Sequence, residues 1–309
     1  REHGVSHVFN DVEEGRLNPV FTANWYLFSL AALLLIGLQR FLYKVAAASG
    51  LSPSLTTLSF MVTVAVAGSL LFVLQGAPIV SPGFLVVISL INSLTFVTAT
   101  LAHIHVLKRI AAAVAYPLIR LNVLLVVFFA VVFLGEDLVL RQWLGVGVSL
   151  TAMMVLAREQ APPSGAKRAR DTRGLWLLLL AMLAGALSSI SCKFAAEYTS
   201  QTAFIALSYI FSSLLTLALH TKLFPNQEPL AGTKKAVLVG ILMGILNLAG
   251  FSAYLQALSL GPLSLVASIN GMHFVVAVAL SCLVYKEKLQ LPVAAGILLT
   301  VLAIVLLRA

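Results

Sequence analysis

The sequence predicts an all-α membrane protein in which ten transmembrane helices form two inverted five-helix repeats. Three observations support this fold class: an apolar composition, ten apolar runs of membrane-spanning length, and an internal repeat. Of the 309 residues, 60% are hydrophobic and 10% are charged, and the mean hydropathy is +1.02. Soluble domains carry about 25% charged residues. This chain has too few polar side chains to cover the outside of a soluble fold.

The net charge of +9 does not indicate nucleic-acid binding. Most basic residues lie in short loops between apolar runs, where lysine and arginine set the orientation of a membrane protein. No basic patch has the interleaved aromatic residues that nucleic-acid binding would suggest. The two cysteines, Cys192 and Cys282, lie inside apolar runs, which argues against a disulfide framework or a zinc site.

The apolar runs are long enough to cross a bilayer, whose core of about 30 Å needs roughly 20 residues of helix. Pro53, Pro82, Pro262 and Pro292 fall at or just inside predicted helix starts, where a missing N–H costs little. Pro117 lies inside the fourth span, where it either kinks the helix or belongs to the first turn of a helix that starts later. The predicted spans are 23–46, 53–75, 83–107, 110–134, 138–157, 174–197, 201–223, 233–259, 262–285 and 291–308.

An internal repeat of about 151 residues relates the two halves of the chain. Glu136 and Gly145 recur 151 positions later as Glu287 and Gly296. Two further matches are Trp25 with Trp176, and YKVAA at 43–47 with CKFAA at 192–196. Since each half has five spans, an odd number, the second half enters the membrane from the opposite side, and the halves are inverted repeats. This architecture suits a carrier with a site near the membrane midplane.

Four segments follow from this pattern. A polar N-terminal tail covers 1–22, the first five-helix repeat 23–157, a basic linker 158–173, and the second repeat 174–309.

The closing segments of both halves resemble a known family. The runs at 111–157 and 260–307 each contain a helix of small residues, an apolar helix, then a (G/K)-E turn with a glycine nine residues on. This pattern resembles the EamA-type repeat of the drug/metabolite transporter superfamily, over about 24–309. The second copy has Ser268 where the first has Pro117, which weakens the expectation that both bundles kink alike. The resemblance implies that Glu136 and Glu287 are structural residues of tight turns between helices.

The resemblance and the repeat together predict a secondary transporter of a small polar metabolite, working by alternating access around a midplane cavity. An amino-acid-like or anionic solute is favoured because the ionisable residues inside the spans lean positive. The alternatives are a membrane sensor or accessory protein without transport, and a membrane enzyme. The sequence contains no Walker-type glycine loop, no HExxH and no GxSxG in a plausible context, so we predict no catalytic residues, metal or cofactor.

Ionisable groups at bilayer depth cost roughly 2.5–3.5 kcal/mol each, so each should face a cavity or a partner. Arg120 is the deepest, with Tyr116 four residues earlier on the same helix face. It either contacts a solute anion or organises the cavity, or it forms a buried ion pair or a bond to carbonyls of a broken helix. Lys193 and Glu197, at i and i+4, form a substrate or gate pair, or an ion pair within one helix.

Uncharged polar residues at helical spacing mark the third, eighth and ninth spans. Each could hydrogen-bond a polar solute or join two helices. The predicted cavity set is Asn92, His103, Tyr116, Arg120, Lys193, Glu197, Asn247, Tyr254, Asn270 and His273. Arg40 and Lys44 share a face near the end of the first span, where they are peripheral or gating residues or reach the membrane surface.

The expected partners are the lipid bilayer and a small polar solute, in a multi-pass protein of a plasma or inner membrane. The orientation has two conflicting indications. Fourteen of the 20 basic residues lie on one side of the predicted spans, which puts that side in the cytoplasm and both termini outside it. The resemblance implies cytoplasmic termini.

Overall fold

The structure, a computed structural model, describes residues 19–79, 81–110, 112–159, 172–219, 233–285 and 290–308. The regular secondary structure of these ranges is entirely helical. The helices are α1 (Pro19–Ala48), α2 (Pro53–Gln75), α3 (Pro82–Arg109), α4 (Ala112–Arg120), α5 (Asn122–Phe133), α6 (Leu140–Glu159), α7 (Thr172–Tyr198), α8 (Gln201–Ala218), α9 (Thr233–Leu260), α10 (Leu263–Gly271), α11 (Phe274–Val284) and α12 (Leu291–Leu307).

These helices make ten spans in the described part of the chain. Nine are long and apolar enough to cross a membrane, with α4 and α5 sharing one span and α10 and α11 sharing another. The tenth, α12, is a shorter apolar helix. Large apolar side chains such as Leu140, Trp176, Leu291 and Leu298 are exposed on the outside of the bundle, where lipid would cover them. The predicted multi-pass, all-helical membrane fold is confirmed.

The internal repeat reappears in the helix boundaries. The starts of α3 and α9 are residues 82 and 233, those of α4 and α10 are 112 and 263, and those of α6 and α12 are 140 and 291, each pair 151 positions apart. Proline stands in the first turn of α2, α3 and α12, as the sequence predicts, because a helix start needs no N–H there.

Contacts between α6 and α12 have the form that a two-fold axis generates. A Cβ at Gly145 would lie 2.9 Å from Cγ of Leu307, and a Cβ at Gly296 would lie 2.5 Å from Cγ of Leu156. Both the glycines and the leucines are 151 positions apart, so each contact is the repeat equivalent of the other, as in a self-complementary interface. The predicted inverted repeats are confirmed.

Two spans are broken at equivalent positions. The fourth span ends one helix at Arg120 and starts the next at Asn122, and the ninth breaks between Gly271 and Phe274. The predicted ninth span, 262–285, is confirmed as a span over Leu263–Val284, but it consists of two helices. At each break the N–H donates to the carbonyl three residues back, from Leu121 to Leu118 (3.0 Å) and from Met272 to Ile269 (3.1 Å), which tightens the turn.

Proline is not the common cause of the two breaks. Pro117 lies within α4, whereas its repeat equivalent Ser268 lies within α10 and donates its Oγ to the carbonyl of Ser264 at 2.7 Å. Both spans break although only the first contains a proline. The location of the break is therefore related to the equivalent positions of the two spans in the fold. The presence of Ser268 in place of proline therefore does not prevent the second repeat from breaking where the first repeat does.

The spans alternate in direction, which gives the molecule two ends. We call the end with the α1–α2, α3–α4, α6–α7, α8–α9 and α11–α12 connections the basic end, because most basic residues of the described ranges lie there. The other end is called the opposite end. Helices of the two repeats are interlocked, since α3 packs against α7 and α9 packs against α1.

Candidate functional site: a cationic cavity at the basic end

A large cavity lies in the half of the bundle nearer the basic end. Its volume is about 1010 Å³. Helices α1, α3, α4 and α11 form most of its wall, and exposed Lys44 and Gln290 show that it reaches the end of the molecule. Its lining consists of Arg40, Tyr43, Lys44, His103, Tyr116, Ile119, Arg120, Leu156, His273, Phe274, Ala277, Val278, Ser281, Cys282, Gln290 and Val293.

Six of the predicted residues line this cavity. They are Arg40, Lys44, His103, Tyr116, Arg120 and His273. Three of the six carry a permanent positive charge, and the described lining contains no aspartate or glutamate. The described lining of the cavity therefore presents positive charges, together with aromatic rings, to whatever enters it.

The two helix breaks supply the deepest charged and polar groups. Arg120 is the last residue of α4, where the exposed carbonyls carry partial negative charge that favours a cation. Its guanidinium carbon lies 4.7 Å from the centre of the Phe274 ring, a cation–π contact with the first residue of α11. His273 lies in the other break, with Nδ1 2.6 Å from the carbonyl oxygen of Asn270. Broken helices thus place both residues near the middle of the bundle, an arrangement that known inverted-repeat transporters also have.

Two buried polar atoms near the breaks have no hydrogen-bond partner among the described residues: Nε2 of His103 and Oδ1 of Asn270. The His103 ring lies 5.4 Å from the Tyr116 ring in an edge-to-face arrangement. An unpaired buried polar atom is costly, so a solute that bonded Nε2 of His103 inside the cavity would recover that free energy.

Arg40 and Lys44 lie nearer the mouth of the cavity and are exposed. The guanidinium carbon of Arg40 is 5.9 Å from the centre of the Tyr43 ring, and Nζ of Lys44 is 5.6 Å from that of Tyr285. Cations close to the mouth attract an anion before it reaches Arg120.

The structure places Asn92, Asn247 and Tyr254 between helices and outside the cavity lining. Nδ2 of Asn92 donates to the carbonyl of Ser188 (3.0 Å), which joins α3 to α7. The hydroxyl of Tyr209 donates to Oδ1 of Asn247 (2.5 Å), which joins α8 to α9. Tyr254 is buried and its ring stacks on that of Phe251. Asn270 lies beside the second break and outside the lining.

Lys193 and Glu197 lie at the opposite end. Nζ of Lys193 is 2.8 Å from Oε1 of Glu197, and it also donates to the carbonyls of Leu258 (2.7 Å) and Gly261 (3.0 Å) at the end of α9. Glu197 lines a smaller cavity of about 790 Å³ beside aromatic residues such as Phe84 and Tyr198. The pair therefore ties α7 to α9, away from the cationic cavity.

Glu136 caps α10. Its carboxylate accepts from the backbone N–H groups of Leu263 (2.5 Å) and Ser264 (3.0 Å) and from the Ser264 hydroxyl. A negative charge at a helix N-terminus is favourable because the first N–H groups have no partner in the helix. The repeat equivalent, Glu287, lies outside the described residues.

Close packing, as well as these charges, holds the turn between α9 and α10 at the opposite end. A Cβ at Gly261 would lie 2.6 Å from Cγ of Trp25, and Trp25 is buried. The indole of α1 thus covers the turn between α9 and α10.

The sequence reasoning missed Gly37, which positions the second break. A Cβ at Gly37 would lie 2.5 Å from the carbonyl oxygen of His273 and 2.5 Å from Cβ of Val276. Only glycine lets α1 approach the broken helix so closely. A glycine inside an apolar span is a known mark of close helix packing, and this signal was present in the sequence.

Comparisons with known proteins agree with this architecture. A model described as the EamA-like transporter family matches residues 23–158 and 172–309. A crystal structure with 17% sequence identity superimposes with a TM-score of 0.71, over 91% of this chain and 97% of the other. At that identity the likeness concerns the fold alone. No curated protein sequence matches the chain significantly. The family match covers both halves of a ten-span inverted-repeat fold, and the chain therefore belongs to the EamA-like transporter family of membrane proteins.

Proposed function

We propose that the protein is a secondary transporter that moves a small polar metabolite, anionic or amino-acid-like, across the membrane by alternating access. The observation that carries the proposal is the composition of the cavity: Arg40, Lys44 and Arg120 line it, without a described carboxylate. Their positive charges favour a solute that carries a carboxylate or a phosphate.

The energetics of the bilayer support an anionic ligand. A cation held at membrane depth costs roughly 2.5–3.5 kcal/mol on insertion scales, unless water or a counter-charge compensates it. Arg120 is half-buried, and the face of Phe274 and the carbonyl end of α4 lie near it. A guanidinium binds a carboxylate or a phosphate through two parallel hydrogen bonds, so an entering anion would offset the cost and gain specificity.

Alternating access is supported by the contrast between the two ends. The cavity reaches the basic end, while Trp25, Lys193 and Glu136 pack around the turn between α9 and α10 at the opposite end. Since the repeats are inverted, exchanging their conformations would open the opposite end and close the basic one.

A ligand screen followed by a flux measurement tests this function. The purified protein would be screened by thermal shift against dicarboxylates, phosphate monoesters, amino acids and amines at equal ionic strength. A ligand that binds only the folded state raises the melting temperature. We expect anions to raise it in the wild type and to lose the effect in Arg120→Gln, while Arg141→Gln, an arginine at the opposite end, behaves as the wild type.

The stabilising anion is then tested for uptake into liposomes. Uptake by the wild type and its loss in Arg120→Gln support the proposal. Stabilisation by amines but not by anions would contradict the solute class. Binding without flux would identify a membrane sensor or accessory protein instead.

A further inference from the structure

Two arginines from different helices share one region of the cationic cavity. Arg40 comes from α1 and Arg120 from the break at the end of α4, and both line the cavity. The charge of Arg40 acts on Arg120. Both charges also act on the rings of His103 and His273, which line the same cavity. Because like charges repel, the fold holds these two guanidinium groups near one another at a cost in free energy.

The number of negative charges on a solute decides how much of this cost the solute removes. A solute with one negative charge pairs with one guanidinium and leaves the positive charge of the other in place. A group with two negative charges pairs with both guanidinium groups, so each arginine gains an attraction that offsets the repulsion by the other. The arginine pair therefore favours a doubly charged group over a singly charged one.

A phosphate monoester has the charge and the acceptors that this arrangement can use. It carries nearly two negative charges and three strong acceptor oxygens, and each guanidinium can donate two parallel hydrogen bonds to such oxygens. Nε2 of His103, a lining residue, is buried without a hydrogen-bond partner among the described residues. In the tautomer that carries its proton on Nε2, His103 would donate to an oxygen as well. A dicarboxylate carries its two charges on separate groups, which fits a single cluster of donors less well.

One face of α11 gives the same cavity an uncharged wall. Phe274, Ala277, Val278 and Ser281 line the cavity, and their spacing of three or four residues puts them on one side of the helix. Ligand pockets combine largely apolar walls with a few polar groups that fix the orientation of the ligand. With the phosphate at the arginines, this face is available to the organic part of a monoester.

We propose that the solute is a phosphate monoester whose phosphate group lies between Arg40 and Arg120, and that Arg40 selects it over singly charged anions. Arg120 binds one charge of the phosphate at the helix break, and Arg40 binds the second charge from the side of the cavity mouth. This inference rests on the proposed transport of a polar anion and names the class of that anion. Arg40 is then the residue that determines specificity for the second charge.

Three aromatic anions of similar size test the proposal: phenyl phosphate, its singly charged methyl ester, and phthalate, which is a dicarboxylate. Dissociation constants are measured by isothermal titration calorimetry of the purified protein in detergent, at about pH 8 and at equal ionic strength, since salt screens exposed charges. At this pH phenyl phosphate is a dianion, because the second pKa of a phosphate monoester is about 6. The readout is the ratio of the affinity for phenyl phosphate to the affinity for its methyl ester.

The wild type should bind phenyl phosphate about fivefold more tightly than the methyl ester, the upper value for an ion pair with an exposed partner, and more tightly than phthalate. Arg40→Gln should lower the ratio to about one, because the second charge loses the guanidinium that selects it. Arg120→Gln should weaken the binding of both esters. Arg158→Gln is the matched control and should keep the wild-type ratio, because Arg158 is exposed in the last turn of α6 at the basic end and outside the described lining.

A ratio that Arg40→Gln lowers and Arg158→Gln preserves supports the proposal. The proposal is overturned if the wild type does not bind phenyl phosphate, binds both esters equally, or binds phthalate more tightly. An unchanged ratio in Arg40→Gln also overturns it. Since Arg40 is exposed, its replacement leaves the core intact, and this variant decides the test even if Arg120→Gln does not fold.

The binding ratio is independent of flux, so the two proposals can fail separately. The expected ratios without uptake in liposomes contradict transport and keep the phosphate site. Uptake of another anion, with an unchanged ratio in Arg40→Gln, keeps transport and overturns the phosphate site.

Discussion

Three charged side chains in the bundle lie at helix ends whose partial charge is opposite to their own. Arg120 ends α4, Lys193 binds the carbonyls of Leu258 and Gly261 where α9 ends, and Glu136 caps the first N–H groups of α10. Helix ends are where backbone groups lack partners in the helix. In a bundle with few polar side chains, they are the places where a charge finds compensation.

The Glu136 cap gives a stability prediction at the residue scale. Glu136→Gln keeps one acceptor oxygen but loses the charge and the second acceptor, so we expect a loss of about 1 kcal/mol of stability. The melting temperature in detergent should fall by about 2–4 °C. Asp137→Asn is the matched control, since Asp137 is adjacent and exposed, and an equal fall in both variants would show that the cap is not the cause.

Residue type and spacing could identify polar side chains in the spans, but they could not separate those that face the cavity from those that join helices. Asn92 and His103 both lie on α3. The helix is long enough for its first half to pack against α7, where Asn92 bonds the carbonyl of Ser188, while His103 lies in the cavity wall. The spacing of residues along a helix predicts the direction in which each side chain points. Which helix lies in that direction at a given depth depends on how the other helices cross it.

At the scale of elements, helix starts were predictable and the interior breaks were not. Starts carry local signals, such as the prolines of α2, α3 and α12. The break between α10 and α11 depends on a neighbouring helix as well, because α1 passes against the carbonyl of His273 at Gly37. The sequence of the broken span does not contain this contact with α1, so it could not predict the break.

The close approach at Gly37 predicts a large effect of a single methyl group. In Gly37→Ala the new Cβ would meet the backbone oxygen of His273, which cannot rotate away, so α1 and α11 must separate. We expect a lower melting temperature and little or no flux in liposomes. Gly147→Ala is the control: nothing lies within 4 Å of a Cβ there, and alanine is the better helix former by about 1 kcal/mol. Equal behaviour of the two variants would contradict the role of Gly37.

For the whole molecule, the charge distribution predicts an orientation. Since 14 of the 20 basic residues lie on one side of the predicted spans, the side of the basic end, the positive-inside rule predicts that this end is cytoplasmic and that the cationic cavity opens to the cytoplasm. The C-terminus lies at the opposite end, after α12.

Reporter fusions to the C-terminus test this orientation. We expect periplasmic or extracellular activity of the reporter, for example alkaline phosphatase activity without fluorescence of a cytoplasmic reporter. Fluorescence would instead place the basic end outside and would favour the orientation implied by the family resemblance.

The paired contacts of Gly145 with Leu307 and of Gly296 with Leu156 have a consequence for how substitutions are tolerated along the gene. When the halves exchange conformations, each of these two contacts takes the place of the other. Both contacts are therefore expected to persist in both states. In a scan of all single substitutions, tolerance at 145 should match that at 296. A scan in which the tolerance at 145 and 296 differed would contradict a contact that both states share.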